Sequence, residues 1–228
     1  MVLGSGAPDA QVYHSTMRLI LASASPRRAA LLCEAGYVFD VEPAHVDESA
    51  LAGEHARAYV LRVAAVKARA IAPMYPDDVV LAADTTVVVD GEMLGKPADD
   101  DEATAMLVRL SGRTHEVLTG VVIIRAGRES SEAVSTRVRF RPLTAAEIEG
   151  YVASGEPHDK AGGYGVQGLA ARFVESVDGS YSNVVGLPVG AVRRLLEAGG
   201  LAPHAFVCPD GRTAPRQTEP RRFDRTGG

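Results

Sequence analysis

A single α/β domain, built on a mixed, elongated and twisted sheet flanked by helices, is the architecture that this sequence predicts. Three observations carry that prediction. Short β-rich runs such as "LILA" and "DVVLAADTTVVVDGEML" alternate with stretches of helical periodicity. The alternation does not repeat as regular βαβ units, because "THEVLTGVVIIRAG" and "SSEAVSTRVRFRPL" follow one another without a helix between them, so the sheet is mixed. A chain of 228 residues with 46% hydrophobic content can bury one sizeable core.

Taken in order, residues 1–17 read as a flexible leader and Arg18 to Ser23 as a strand. Pro26 suits the first turn of a helix, where its missing N–H costs nothing, and Gly36 closes that helix. "VFDVEPAHVDE" reads as a second strand running into an acidic loop. Leu51 to Met74 carries helical periodicity, with Tyr59, Val63, Val66 and Ala70 as the proposed stripe. Asp90-Gly91 is a two-residue hairpin signal. "DDDEATAMLVRLSG" places acids at a helix start and Gly112 at its end. Thr144 and Glu147 form a capping box for the next helix. The glycine-rich "GEPHDKAGGYGVQG" is a loop, followed by a strand in "RFVESVDGS" and a last helix in "PVGAVRRLLEAGG". The domain is thus expected over 18–202, and the Pro- and Arg-rich residues 203–228 as a disordered tail.

Composition excludes several function classes. A net charge of −5 gives no global basic field, so nucleic acid is not an expected partner. No apolar run approaches the ~20 residues of a membrane span, and the first residues lack the pattern of a secretory signal. Cys33 and Cys208 are far apart and show no metal spacing, which points to reduced thiols and a cytoplasmic setting. The six histidines show no metal-ligand spacing. Neither GxGxxG, GxxxxGK[ST] nor GxSxG occurs in its required context.

Lysine is scarce. The chain has three, Lys67, Lys96 and Lys160, against 21 arginines. A compact ammonium and a planar guanidinium are not interchangeable at a phosphate, so these three positions are candidates for anion contact, although a solvated surface would also keep them. In "SASPRR", the hydroxyls of Ser23 and Ser25, a helix start and the Arg27 and Arg28 guanidiniums suit a phosphate; a plain serine cap followed by solvent-facing arginines fits the same residues. Arg27 is expected to face a ligand more directly than Arg28. Asp84 interrupts an apolar strand, where a charge needs a partner or a metal. Asp47, Glu48, Glu156 and Asp159 offer further carboxylates in loops, and Gln167 an amide donor and acceptor.

In this order, "LILASASPRRAALL", "VDE", "KA" at 67–68, "ADTTVVVDGEMLGKP", "SGRTHEVLTGV", "GEPHDKAGGYGVQG" and "GSYSNVVGLPV" resemble the Maf family of nucleoside triphosphate pyrophosphatases, over about Arg18 to Gly199. The resemblance implies an ITPase-like fold and hydrolysis of a nucleoside triphosphate to monophosphate and pyrophosphate with Mg²⁺ or Mn²⁺. "SPRR" with "DTT" is similar to the branch acting on dTTP and UTP; the 7-methyl-GTP branch, or a nucleotide-sensing regulator of septum formation, is the alternative. The resemblance further implies Asp84, Lys96 and Arg27 as catalytic residues. Ser23, Ser25, Arg28, Thr85, Lys67, Lys160 and Gln167 would bind substrate, and Glu48, Asp84 and Asp159 would hold the metal. It also implies a homodimer, while the lack of an apolar span leaves no membrane partner expected.

Overall fold

The computed structural model describes residues 17–203; the expected leader and tail, Met17 and Pro203 apart, lie outside the described residues. Seven strands form one sheet: β1 (Leu19–Leu21), β2 (Asp40–Val41), β3 (Val79–Val89), β4 (Glu92–Leu94), β5 (Thr114–Arg125), β6 (Arg128–Phe140) and β7 (Val174–Asp178). Their order is β2-β1-β3-β5-β6-β7, with β4 paired to β3 off this path. The β1 strand runs parallel to β2 and β3, whereas the β3–β5, β5–β6 and β6–β7 pairs are antiparallel. The sheet is therefore mixed, as predicted.

Among the described residues six α-helices flank it: α1 (Pro26–Glu34), α2 (Ala56–Ile71), α3 (Asp100–Leu110), α4 (Ala145–Val152), α5 (Tyr181–Val185) and α6 (Val189–Ala198). The β3 run is almost continuously apolar because both of its faces are covered. Val79, Leu81 and Ala83 pack into a core with residues of α1 and α6. Val80 and Ala82 face the opposite way, toward Ala64, Ala68 and Ile71 of α2. At the far end Val87 and Val89 join a third cluster with α3 and α4.

Local chemistry accounts for the turns. Asp90 and Gly91 both take positive φ, 52° and 79°, the backbone that a tight β3–β4 hairpin requires. Thr144 and Glu147 form the reciprocal capping box at the start of α4. Glu147 also pairs with Arg141, and the two sets of contacts hold its carboxyl down at about 2.

Four expectations change. The acidic segment after Phe39 is a strand for only two residues and then an irregular loop. The buried stripe of α2 is Val60, Val63, Ala64, Lys67, Ala68 and Ile71, one residue out of phase with the expected one. Helix α5, capped by Ser180, was not expected, being five residues long. Cys33 is disulfide-bonded rather than a reduced thiol, and the chain's other cysteine, Cys208, lies outside the described residues.

One close approach sets the position of α2. Gly120 of β5 lies under the helix so tightly that a Cβ there would meet the Val60 carbonyl oxygen at 2.5 Å. Gly120 is also the cross-strand partner of Asp84, and Lys67 sits two helical turns beyond Val60 on the same face. Gly120→Ala should therefore lift α2 from the sheet, cost about 1–3 kcal/mol and lower both the melting temperature and turnover. A melting temperature equal to the parent's would show that the helix shifts without cost.

Candidate active site

The chain leaves β1 by a sharp turn in which the Ser23 amide donates to the Leu21 carbonyl at 2.9 Å. Ser25 then caps α1, its hydroxyl accepting from the Arg28 amide, with Pro26 at the first helical position. This turn opens onto a cavity of about 470 Å³ bounded by α1, β3, the turn at Gly95 and the loop from Asp159 to Gly168. Five cationic side chains and three carboxylates line it, so the site is locally positive in a chain whose net charge is −5. All three lysines of the chain are among the lining residues, Lys67 buried, Lys160 half-buried and Lys96 exposed.

Asp84 occupies the middle of β3 and is 5% exposed. Its Oδ1 accepts from Lys67 Nζ at 2.8 Å, and the same ammonium lies 2.9 Å from Glu48 Oε1. Asp84 Oδ2 is buried with no hydrogen-bond partner. Burial raises the Asp84 carboxyl above its ordinary value, and this outweighs the opposing pull of Lys67 and Arg28. A buried carboxylate with one satisfied and one orphaned oxygen, its ionisation tuned upward, is the arrangement expected of a group that takes a proton.

The two arginines of α1 are held differently. Arg28 donates through Nε to the Gly186 carbonyl (2.9 Å), through Nη1 to Ser23 Oγ (3.2 Å) and through Nη2 to Thr85 Oγ1 (3.2 Å). Behind it a polar chain runs from Thr85 to the Thr119 hydroxyl at 2.9 Å and on to the Asn183 carbonyl. Asn183 Nδ2 donates in turn to the Val117 carbonyl and to Thr136 Oγ1. Asn183 thus ties α5 to the sheet, and Gly186, which ends that helix, lies beside Arg28. Arg27 instead reaches across the cavity, its Nη1 2.6 Å from Asp159 Oδ2. That leaves Arg27 the more adaptable of the two.

Lys96 is exposed at the cavity edge beside Gly95, and the Gly95 carbonyl accepts from the Gly162 amide at 2.9 Å. Lys160 Nζ donates to Asp159 Oδ1 at 2.5 Å and to the Glu156 carbonyl at 2.7 Å. Gln167 lines the cavity with an exposed side chain.

Among the described residues no three His, Cys, Asp or Glu side chains are grouped to share a metal ion, so Glu48, Asp84 and Asp159 do not form a common ligand set. Asp159 is held by two cations instead; burial opposes its ionisation, but the hydrogen bonds from Lys160 and Arg27 bring its carboxyl down to about 2. Asp47 likewise turns to its own loop, accepting from the Ser49 amide at 2.9 Å.

Two lining residues were not foreseen. The Tyr59 hydroxyl donates to the Glu48 carbonyl at 3.0 Å and so anchors the acidic loop. Burial, with Asp84 and Glu48 nearby, pushes that phenol up to about 12. Spacing offered the signal, since Tyr59 lies about two turns before Lys67, but it was absorbed into the expected stripe. Tyr164 shares a 2.7 Å hydrogen bond with His115 Nε2, and burial lowers the histidine to about 4, which keeps it neutral. Nothing in the local sequence announces that pair.

The chain is similar to known proteins over most of its length. The dTTP/UTP pyrophosphatase of Koribacter versatilis is 50% identical over 189 residues, covering 83% of this chain and 98% of its own. That of an Anaeromyxobacter species is 55% identical over 188 residues, covering 80% of this chain and 90% of its own. That of Myxococcus xanthus is 54% identical over 184 residues, covering 80% and 93%. The family described as Maf-like protein matches residues 18–199, the span that builds the sheet and every wall of the cavity, and the chain belongs to that family.

Proposed function

We propose that this protein hydrolyses dTTP and UTP to the monophosphate and pyrophosphate, by attack of water at the α-phosphorus. The observation that carries the reading is the Lys67–Asp84 pair, with its orphaned carboxylate oxygen, in a cavity that all three lysines line. The substrate class comes from the relatives, which are named for it at 50–55% identity.

In this reading Asp84 accepts the proton of the attacking water as the new P–O bond forms. Lys67 holds the carboxylate in place and favours its ionised form. The bond from the α-phosphorus to the bridging oxygen breaks, and the leaving pyrophosphate carries the charge away. Arg27, Lys96 and Lys160 stabilise that charge as it develops. Ser23, Ser25 and the first turn of α1 receive the phosphates. Arg28, fixed on Ser23, Thr85 and Gly186, keeps one cationic face at a set distance from β3. Gln167, which lines the cavity with an exposed side chain, reads the base through its amide donor and acceptor.

A divalent cation fits the residues present. Asp84 Oδ2 lacks a protein partner and Glu48 lines the same cavity, and Mg²⁺ is commonly held by one or two carboxylates together with substrate phosphates. Glu48 and Asp84 are the residues that would hold it, and Mg²⁺ or Mn²⁺ would supply neutralisation of phosphate charge. No described helix is long and apolar enough to cross a membrane. The cytoplasm, where nucleotide pools turn over, is the compartment that fits such a substrate.

A panel of dTTP, UTP, dCTP, dATP, GTP and 7-methyl-GTP, supplied with Mg²⁺ or Mn²⁺, tests the reading. Expected are pyrophosphate and monophosphate from dTTP and UTP above the rest, with label from H₂¹⁸O found in the monophosphate. Release of orthophosphate, label in the pyrophosphate, or no turnover by folded protein would overturn it.

A further inference from the structure

We infer that Glu156, which touches no reacting group, is the positioning residue that fixes Gln167 and Lys160 at one separation and so sets base selectivity. The inference rests on the proposed roles of Gln167 and Lys160.

Glu156 is the hub of the glycine-rich loop. Its Oε1 accepts from the Tyr151 hydroxyl at 3.0 Å, and that same hydroxyl accepts from the Gly165 amide at 3.2 Å. Its Oε2 accepts from the Leu169 amide at 2.9 Å. Its backbone carbonyl accepts from Lys160 Nζ at 2.7 Å. One residue therefore holds the chain two residues before Gln167, two residues after it, and the ammonium of Lys160.

The glycines report the same fit. A Cβ at Gly168 would lie 2.1 Å from Glu156 Oε1, and one at Gly165 would lie 2.6 Å from the Lys160 Cε. Neither glycine has a positive φ, so close approach explains them and backbone conformation does not. The loop is moulded around the Glu156 carboxylate and the Lys160 stem. Tyr151, fully buried under the loop, gives the carboxylate a fixed support. A base-reading amide held through the Glu156 carboxylate and a phosphate-holding ammonium shared by the Glu156 carbonyl and Asp159 act as a gauge for the length between the two ends of a nucleotide.

The test compares Glu156→Gln, Tyr151→Phe and Gly168→Ala with Gln167→Ala, reading kcat and KM for dTTP and dCTP together with melting temperature. A misplacement on the ångström scale is enough for about a hundredfold loss. Expected for Glu156→Gln is a kcat/KM for dTTP reduced about 10- to 100-fold, a smaller loss for dCTP, and hence a reduced dTTP preference. Tyr151→Phe, which removes only the Gly165 arm, should show the same shift in milder form and keeps the idea open to test if Glu156→Gln fails to fold. Gly168→Ala should add little to a Glu156→Ala background, because the atom it displaces is gone. Equal losses for both nucleotides that track melting temperature would reduce Glu156 to a structural residue and overturn the inference. If Gln167→Ala shifts the preference while the Glu156 and Tyr151 variants do not, this inference alone falls. If Gln167→Ala leaves the preference unchanged as well, the base-reading role falls with it.

Discussion

Asp84→Asn should hydrolyse dTTP about 10²–10⁴ times more slowly than the parent, the range that general-base catalysis contributes, and should gain stability relative to the parent as pH rises toward neutral, with Glu48 left as the carboxylate partner of Lys67. The two halves of this result share one cause. Burial raises the Asp84 carboxyl above its ordinary value in the folded protein, so holding it ionised weakens the fold. For an acid with a raised folded pKa, stability is fully present below the unfolded value of about 3.9 and is lost as pH rises through the folded one. The amide has no such penalty. The gap in stability between variant and parent should therefore open in the variant's favour as pH rises from about 4 toward 7, measured by thermal or denaturant unfolding. Activity should run the other way in the parent: kcat/KM should fall on acidification at a pH above that of an ordinary aspartate. A variant that keeps more than a tenth of the parent's rate would remove Asp84 from the chemistry.

Lys67→Met should be the most destabilising change in the site. The side chains of Lys67 and Asp84 are 8% and 6% exposed, and deleting one member of a buried pair leaves an uncompensated charge worth about 3–5 kcal/mol. The loss should be largest near neutral pH and shrink in acid, where Asp84 takes a proton. Turnover should fall with it, because the carboxylate loses both its orientation and its support for ionisation. The double variant Lys67→Met, Asp84→Asn separates charge from packing: it should be more stable than Lys67→Met alone. Additive losses in the double variant would mean that the ammonium acts by filling space, and the pair would not be the electrostatic unit described above.

Several residues that the cavity gathers are legible in the sequence, for physical reasons. Asp84 stands out because a charge inside an apolar strand is costly, and Ser25-Pro26 because few residues suit a helix start. The lysines stand out because the rest of the chain uses arginine. The phase of α2 was lost because "AAVKARA" is rich in alanine, which gives little contrast between faces, and so Tyr59 was assigned to the core instead of the cavity. Helix α5 is too short to show a period. Pairs such as Arg27 and Asp159, 132 residues apart, have no local signature, and a reading of Asp159 as a metal ligand follows naturally until its cationic neighbours are seen.

That last contact has a consequence for how an anion enters and leaves. Asp159 already holds the guanidinium of Arg27 and the ammonium of Lys160, so a phosphate arriving at these donors displaces a resident carboxylate. Binding there is an exchange, and only the difference between the two anions favours the newcomer. A triphosphate brings enough charge to several donors at once to prevail. Once it is cut, each product is smaller and less charged, and each faces a rival that is tethered to the protein and never diffuses away. On the proposed reading of Arg27 and Lys160, the aspartate that yields to substrate would compete again with each product.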